Sequence, residues 1–311
     1  MEVISELTSF PETHSDGCVA LGAFDGIHRG HQFLISRAVQ EARQSKSKAG
    51  VYTFFPHPRQ VLYPGKSFNI LTTWEQRKEI FHKLELDFVY LQHFTVDFAT
   101  QDFREFVQKY LVQGLKVRKV FVGSDFRFGR KGEGDVDALS RLGKETGFAV
   151  QVIEPFCHND TVISSTLIRR KIEQGRVEDV VDYLGRYYSI DGEVIHGQGI
   201  GRKLGYPTAN LVVLHPFTMP RSGVYGVKVR VGGEDYYGLA HLGSRPTFSL
   251  DGNSFEVFLL EFNGDLYGEK LAVSFLCRIR DIMNFANSKE LACQIERDRE
   301  SFKHQLAEAK R

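Results

Sequence analysis

The chain has 311 residues, too many for one ordinary hydrophobic core, so two domains are expected. Apolar residues make up 42% and charged residues 25%, a balance typical of water-soluble globular proteins. A net charge of +1 gives no electrostatic case for a nucleic-acid or acidic-membrane partner. Cys18, Cys157, Cys277 and Cys293 are scattered without a C-x-x-C pair, which fits reduced thiols in the cytoplasm and not a disulfide frame or a thiolate zinc site. The first residues, Met1-Glu2-Val3-Ile4-Ser5-Glu6, carry acids where a signal peptide carries bases, and no apolar run approaches the ~20 residues that span a bilayer.

In the first half, strand-like and helix-like segments alternate. Val19-Ala20-Leu21 reads as a buried strand, and Leu34, Ile35, Ala38, Val39 and Ala42 recur at helical spacing. Between them lies Gly22-Ala23-Phe24-Asp25-Gly26-Ile27-His28-Arg29-Gly30-His31, a strand-to-helix turn of the kind at which open α/β sheets bind ligands. Its glycines let backbone approach a ligand, His28 and His31 share one helix face, and a helix N-terminus favours phosphate. Zinc is a poor alternative, because no third ligand stands at a matching spacing.

Val51 to Phe55 follows as a strand stopped by Pro56, then a helix near Trp74 with Thr72 and Glu75 as a capping box. Phe88 to Leu91, Val120 to Val122 and Val150 to Ile153 are the next strands. Helices are expected over Phe103 to Gln113, ended by Gly114, and over Val136 to Thr146, ended by Gly147. This alternation implies a doubly wound parallel sheet. Gly65-Lys66-Ser67 looks like the end of a phosphate-binding P-loop, but Gln60 occupies the place of its first glycine, so that reading is discarded.

Ser164 opens a helix running to Gly175, and Glu178 to Leu184 forms another. The texture changes at Gly185-Arg186, which places a boundary between domains 1–186 and 187–311. Beyond it, short alternating strands dominate. Val227 to Val231, Gly232-Gly233 and Tyr236-Tyr237 read as a hairpin, and Phe255 to Phe262 with Leu271 to Leu276 read as a second one around Asn263-Gly264-Asp265. Leu291 to Ala309 is helical, with Asn287 and Glu290 as its cap. The second domain is expected to be an antiparallel β-barrel with a terminal helix.

Four motifs in the first half occur in a telling order: G-x-F-D-G-x-H-x-G-H at Gly22 to His31, then Thr53 to Pro58, Gly123 to Gly129 and Ile163 to Arg169. Together they resemble the nucleotidyltransferase superfamily, in particular the adenylyltransferase module of bacterial FAD synthetases. In the second half, Gly201-Arg202-Lys203-Leu204-Gly205-Tyr206-Pro207-Thr208-Ala209-Asn210 resembles the G-R-x-x-G-x-P-T-A-N segment of riboflavin kinases. Ser222 to Tyr225, Gly243 to Phe248, Phe255 to Phe258 and Leu266 to Gly268 extend that likeness.

The resemblance implies a bifunctional enzyme that uses ATP as co-substrate to make FMN from riboflavin and then FAD from FMN, releasing pyrophosphate. It implies that Gly22, Phe24, Asp25, Gly30, His28 and His31 handle the α-phosphate, with the histidines as charge stabilisers. Ser164, Ser165, Thr166 and Arg169 would hold the leaving phosphates, and His57, Asp125, Arg127 and Arg280 would lie on the flavin side. In the kinase, Gly201 and Lys203 would cover ATP, Thr208 and Asn210 would bind Mg²⁺, and Glu256 would be the base. His241, Phe258 and Ile282 depart from the family pattern. Two alternatives stand beside this reading: a protein with only the adenylyltransferase fully active, and a flavin- or nucleotide-binding regulator without turnover. The expected partners are the small molecules riboflavin, FMN and ATP, with self-association left open.

Overall fold

The computed structural model describes residues 1–197, 201, 205–243 and 254–309. By compactness the chain divides into two units, Met1–Phe68 with Thr72–Ser165, and Asn69–Leu71 with Thr166–Arg311.

The first unit contains, in chain order, β1 (Glu2–Ile4), β2 (Cys18–Leu21), α1 (Arg29–Gln44), β3 (Ala49–Phe55), α2 (Pro58–Leu62), α3 (Trp74–Lys83), β4 (Phe88–His93), α4 (Val96–Ala99), α5 (Phe103–Phe106), β5 (Lys119–Gly123), α6 (Val136–Thr146), β6 (Ala149–Ile153) and the short pair β7 (Cys157–His158) and β8 (Thr161–Val162). The six strands of its main sheet run in the order β1-β4-β3-β2-β5-β6, and every pairing is parallel. Both faces are covered, which is why the strands read as continuous apolar runs. Cys18, Ala20, Val51, Val89 and Phe121 pack one face with Leu34, Ile35 and Phe81 of the helices. Their strand neighbours Val19, Leu21, Tyr52, Tyr90 and Val122 pack the other with Phe106, Tyr110 and Leu139. Because β3 and β5 flank β2 on opposite sides, the strand order reverses at the carboxyl end of β2, where open α/β sheets have a crevice.

Two details differ from the sequence expectation. The helix expected over Phe103 to Gln113 is α-helical only through Phe106 and continues as a π-helix over Val107–Gly114, where Leu115 N donates to Tyr110 O at 2.8 Å. The capping box of α3 is made by Thr73 and Gln76, one residue beyond Thr72 and Glu75. Thr72 is engaged elsewhere: its amide donates to the Asp25 carboxylate, and its hydroxyl oxygen accepts from Gly26 N.

The second unit holds α7 (Ser165–Glu173) from Thr166 onward, α8 (Val177–Leu184), β9 (Tyr188–Ile195), β10 (Thr208–Val213), β11 (Gly223–Val231), β12 (Glu234–Gly243), β13 (Ser254–Leu259), β14 (Lys270–Arg280) and α9 (Ser288–Ala309). Its strands close a barrel in the order β10-β13-β12-β11-β14-β9, all pairings antiparallel. The first expected hairpin forms, with Val231 opposite Glu234. The second does not. β13 pairs with β10 and β12, and β14 pairs with β11 and β9, so the turn at Asn263-Gly264-Asp265 joins strands that are not neighbours. Closing the barrel through β9 and β10 takes up the edge of β13 that a hairpin would have used.

Helix α9 covers an outer face. Phe302 is fully buried against Val224 and Leu239, and a side chain on Gly226 would run into the Phe302 ring at 2.2 Å. Asn287 caps the helix through Glu290 N at 3.0 Å, with the Glu290 carboxylate accepting from Asn287 Nδ2. Phe302→Ala is expected to cost about 3–5 kcal/mol, the usual range for emptying a buried aromatic site. Urea denaturation of the purified variant measures this directly, and α9 should become the first site of protease cleavage.

Candidate active sites

The turn after β2 is held in a backbone shape that a free chain would avoid. Phe24 and Ile27 have φ of 50° and 37°, and Gly26 has φ of 81°. Left-handed backbone at non-glycine residues persists where the surroundings over-determine it. Here the Phe24 and Ile27 side chains are sunk in the core at 1% and 0% exposure, so the turn is pinned from beneath. Gly22 is glycine because a Cβ there would lie 3.0 Å from the Phe24 ring, and a Cβ at Gly30 would lie 3.1 Å from His28 Nδ1.

Hydrogen bonds pin it from the sides. Asp25, 4% exposed, accepts at Oδ1 from Thr72 N at 3.1 Å and Thr72 Oγ1 at 3.2 Å, while Gly26 N donates to Thr72 Oγ1 at 2.9 Å. The Ala23 carbonyl accepts from Thr53 Oγ1 at 3.2 Å and from a guanidinium nitrogen of Arg77 at 3.1 Å. Gln32 Nε2 donates to Ile27 O at 2.8 Å, and Ser165 Oγ donates to Asp25 O at 2.9 Å. Ser165 is the first residue of α7 and Ser164 precedes it, so this serine pair is brought to the turn. Arg169, further along the same helix, donates from Nε to Asn69 O at 2.8 Å. Thr166 follows Ser165 within the first turn of α7.

His28 is the N-cap of α1, its Nδ1 accepting from His31 N at 3.3 Å. In the neutral ring that bond assigns the proton to Nε2. The two imidazoles stack with centroids 3.7 Å apart and planes 17° apart, and Phe24 meets His31 edge-on at 5.3 Å. Burial, then the neighbouring His28, holds His31 well below the ordinary histidine range, so it is neutral at pH 7. Its Nδ1 is buried with no hydrogen-bond partner among the described residues. The result is a pair of stacked imidazoles at a helix N-terminus, a setting that suits an anion.

The flavin-side candidates lie on other elements. His57 caps α2, accepting from Arg59 N at 3.2 Å, and its ring stacks on Phe68 at 4.3 Å. Asp125 and Arg127 are exposed on the loop after β5, with Arg127 in a surface pair with Asp135 at 3.4 Å. Phe126 stacks on Phe128 at 5.5 Å, and Phe128 is buried.

In the barrel, Thr208 and Asn210 are two apart on β10 and therefore share a face. Asn210 stands directly opposite Glu256 of β13, and Thr208 Oγ1 donates to Glu256 Oε2 at 3.3 Å. His241 of β12 is the partner of Glu256 on its other side. Backbone closes over the same place: a Cβ on Gly197 would strike Asn210 Nδ2 at 2.1 Å, and one on Gly201 would strike Tyr206 O at 2.3 Å and lie 3.2 Å from Thr208 Oγ1. Tyr206 also meets Phe258 edge-on at 5.4 Å. Lys203, with Arg202 and Gly199, lies outside the described residues. No group of three or more His, Cys, Asp or Glu arranged for a metal occurs among the described residues. The Thr208 hydroxyl and the Asn210 amide offer hard oxygen donors, and so small a set would suit Mg²⁺, which takes few protein ligands and completes its shell with phosphate and water.

Arg280 is engaged elsewhere. Its Nε and Nη2 grip the Asp298 carboxylate of α9 at 2.8–3.0 Å, and Nη1 donates to Asp281 O at 2.9 Å. Asp298 and Arg77 are residues that sequence reading missed, and Thr72 it read only as a helix cap; each is held by partners remote in sequence.

Comparison with known proteins gives a consistent assignment. The FAD synthetase family model matches residues 10–167, and the riboflavin kinase family model matches residues 184–306. A bifunctional riboflavin kinase/FMN adenylyltransferase from Listeria monocytogenes is 38% identical, covering 94% of this chain and 93% of its own. Proteins of the same name from Bacillus subtilis and Escherichia coli are 35% identical over 93% of this chain and 92% of theirs, and 34% identical over 96% of each. A solved structure described as a macrolide-efflux protein from Streptococcus pneumoniae superposes with a TM-score of 0.88 at 33% identity, covering 97% of this chain and 98% of its own. No helix among the described residues is long and apolar enough to cross a membrane. The chain belongs to the family of bifunctional riboflavin kinase/FMN adenylyltransferases.

Proposed function

We propose that the two reactions of this family are divided between the two constellations described above, with residues 1–186 carrying the adenylyltransferase and residues 187–311 the kinase. The chain is a transferase that phosphorylates riboflavin to FMN with ATP and adenylylates FMN to FAD. The division is supported by the chemistry each site can perform. In adenylylation the nucleophile is a phosphate monoester, already anionic at neutral pH, so positioning and charge stabilisation matter more than a base. The turn provides those through imidazole N–H donors, neutral in the case of His31, and helix-terminal amides. Gly22, Phe24, Asp25 and Gly30 shape it, and Ser164, Ser165, Thr166 and Arg169 serve the departing pyrophosphate. His57, Asp125 and Arg127 lie on the flavin side, Asp125 and Arg127 exposed and free of the core.

Riboflavin offers a neutral hydroxyl instead, and a base helps. Glu256 has that role, with Thr208 and Asn210 as ligands of Mg²⁺, an ion that would neutralise phosphate charge when bound. Gly201 and Lys203 cover the nucleotide. The observation that carries this assignment is the cross-strand pairing of Asn210 with Glu256, with Thr208 hydrogen-bonded to the same carboxylate. Arg280 belongs to the flavin side by resemblance, and it would act there by holding α9 through Asp298. The four free thiols, two of them exposed, support a reducing, cytoplasmic setting. Self-association is a further proposal.

One assay of the intact protein with riboflavin, ATP and Mg²⁺, products separated by chromatography, should show FMN and FAD both accumulating. FAD formed only from added FMN would favour a single working module. Glu256→Gln is expected to slow FMN formation by ~10²-fold or more while FAD formation from supplied FMN stays within about twofold. Asn210→Ala should raise the Mg²⁺ concentration needed for half-maximal kinase rate, and full rate in both variants would overturn the assignment.

His31 gives a pH prediction. The folded state holds its pKa below the unfolded value of 6.5, so the unfolded chain binds more protons and stability falls as pH drops below about 6.5. Denaturation midpoints between pH 7.5 and 5.5 should fall more steeply in the native protein than in His31→Gln. Parallel slopes would mean that the ring is not held neutral.

A further inference from the structure

We propose that Arg77 is a positioning residue for adenylyl transfer: its buried guanidinium clamps the strained turn after β2 to the end of β3 and thereby sets the place of the His28–His31 pair. The proposal rests on the reading of that turn as the adenylyl site.

Arg77 lies one turn into α3 and is 5% exposed, with its backbone N–H bonded to Thr73 O. One guanidinium nitrogen donates to two carbonyls that belong to different motifs, Ala23 O at 3.1 Å and Phe54 O at 3.4 Å. Ala23 immediately precedes Phe24, the first left-handed residue of the turn, and Phe54 belongs to the Thr53 to Pro58 stretch. The Trp74 ring faces the guanidinium at 5.3 Å, and Arg77 Nε is buried with no hydrogen-bond partner among the described residues.

Such a placement is costly for folding alone. A guanidinium removed from water needs its donors filled, and an apolar side chain of similar size is often as good or better for stability. Burial lowers the Arg77 pKa, and the nearby Asp25 charge opposes that loss. Asp25 is the other buried charged group of the turn, and its carboxylate is held by Thr72. Helix α3 and the residue before its cap therefore grip the turn at two points, Thr72 on Asp25 and Gly26, Arg77 on Ala23. Thr53 supplies a second, weaker donor to the same Ala23 carbonyl. Between these fixed carbonyls and α1 lie the four residues that deliver His28 to its N-cap position. A shift of the Ala23 carbonyl moves the imidazole pair relative to a bound phosphate, and reacting groups misplaced by about 1 Å lose roughly 10²-fold in rate.

The test uses the full chain, whose kinase reports on the barrel, while the denaturation midpoint of each variant reports whether the unit that holds Arg77 stays folded. Arg77→Met is expected to lower the kcat of FMN adenylylation by roughly tenfold or more, with KM for FMN changed less than about threefold. Arg77→Lys, which keeps a cationic donor, should recover most of that loss, and Thr53→Val should lose less than Arg77→Met. Riboflavin phosphorylation by the same preparations should stay within about twofold of the native rate. Adenylylation unchanged in Arg77→Met, a parallel fall in both activities, or a lysine variant no better than methionine would each overturn the clamp. His28→Ala run alongside separates the two claims: if it leaves adenylylation intact, the reading of the turn fails, and if it abolishes adenylylation while Arg77→Met is silent, only the clamp fails.

Discussion

The Asp25 carboxylate, accepting from the amide and the hydroxyl of Thr72, is the contact on which the first site depends. A turn with left-handed Phe24 and Ile27 stores strain, and local sequence alone does not keep it. The carboxylate joins it to the chain 47 residues later, and the Thr72 hydroxyl passes the bond on to Gly26 N. One charged group thereby fixes both the strained peptide and the entry to α3. Buried and hydrogen-bonded in this way, Asp25 braces the turn that leads to His28 and His31.

On the proposed division of the two reactions, the two constellations answer different chemical demands with different secondary structure. Adenylyl transfer has an ionised nucleophile and a departing polyanion, demands that a helix N-terminus at the reversal point of a parallel sheet is suited to meet. Phosphorylation of an alcohol calls for a carboxylate close to hard oxygen donors. Antiparallel pairing supplies that directly, because residues opposite each other across a ladder share a face and lie about 5 Å apart. Asn210 and Glu256 are such a pair, and Thr208 is the next residue on that face.

Much of this was legible in the sequence. Alternating apolar runs and helical spacing sufficed for the doubly wound sheet, and Gly232-Gly233 for the first hairpin, because those signals are local. The glycines and histidines of the turn stood out as a candidate site because their signal, a glycine-rich strand-to-helix turn with two histidines on one helix face, is local. What escaped depends on partners remote in sequence. Thr72 looked like a cap because Thr-x-x-Glu is a capping pattern, and only Asp25, 47 residues earlier, takes its donors away. The turn at Asn263-Gly264-Asp265 looked like a hairpin because its local chemistry is that of one, whereas strand order in a closed barrel is a global property. Arg77 had no motif to mark it.

Arg280 shows why such remote partners matter for reading function. By resemblance it belongs to the flavin side, yet its guanidinium is bidentate on Asp298, which is 3% exposed and also accepts from Gln294 Nε2 at 2.9 Å. Removing Arg280 would leave a buried carboxylate without its cation, a change that typically costs 3–5 kcal/mol. That loss would loosen α9 from β14 and free the Asp281 carbonyl that Arg280 also holds. Diminished kinase activity after such a substitution would therefore report first on the helix and the loop at Asp281. A direct flavin contact by Arg280 would have to be separated from this by pairing the change with Asp298→Asn, in which the buried charge is removed as well. Only an activity loss exceeding that of the neutralised pair belongs to the flavin.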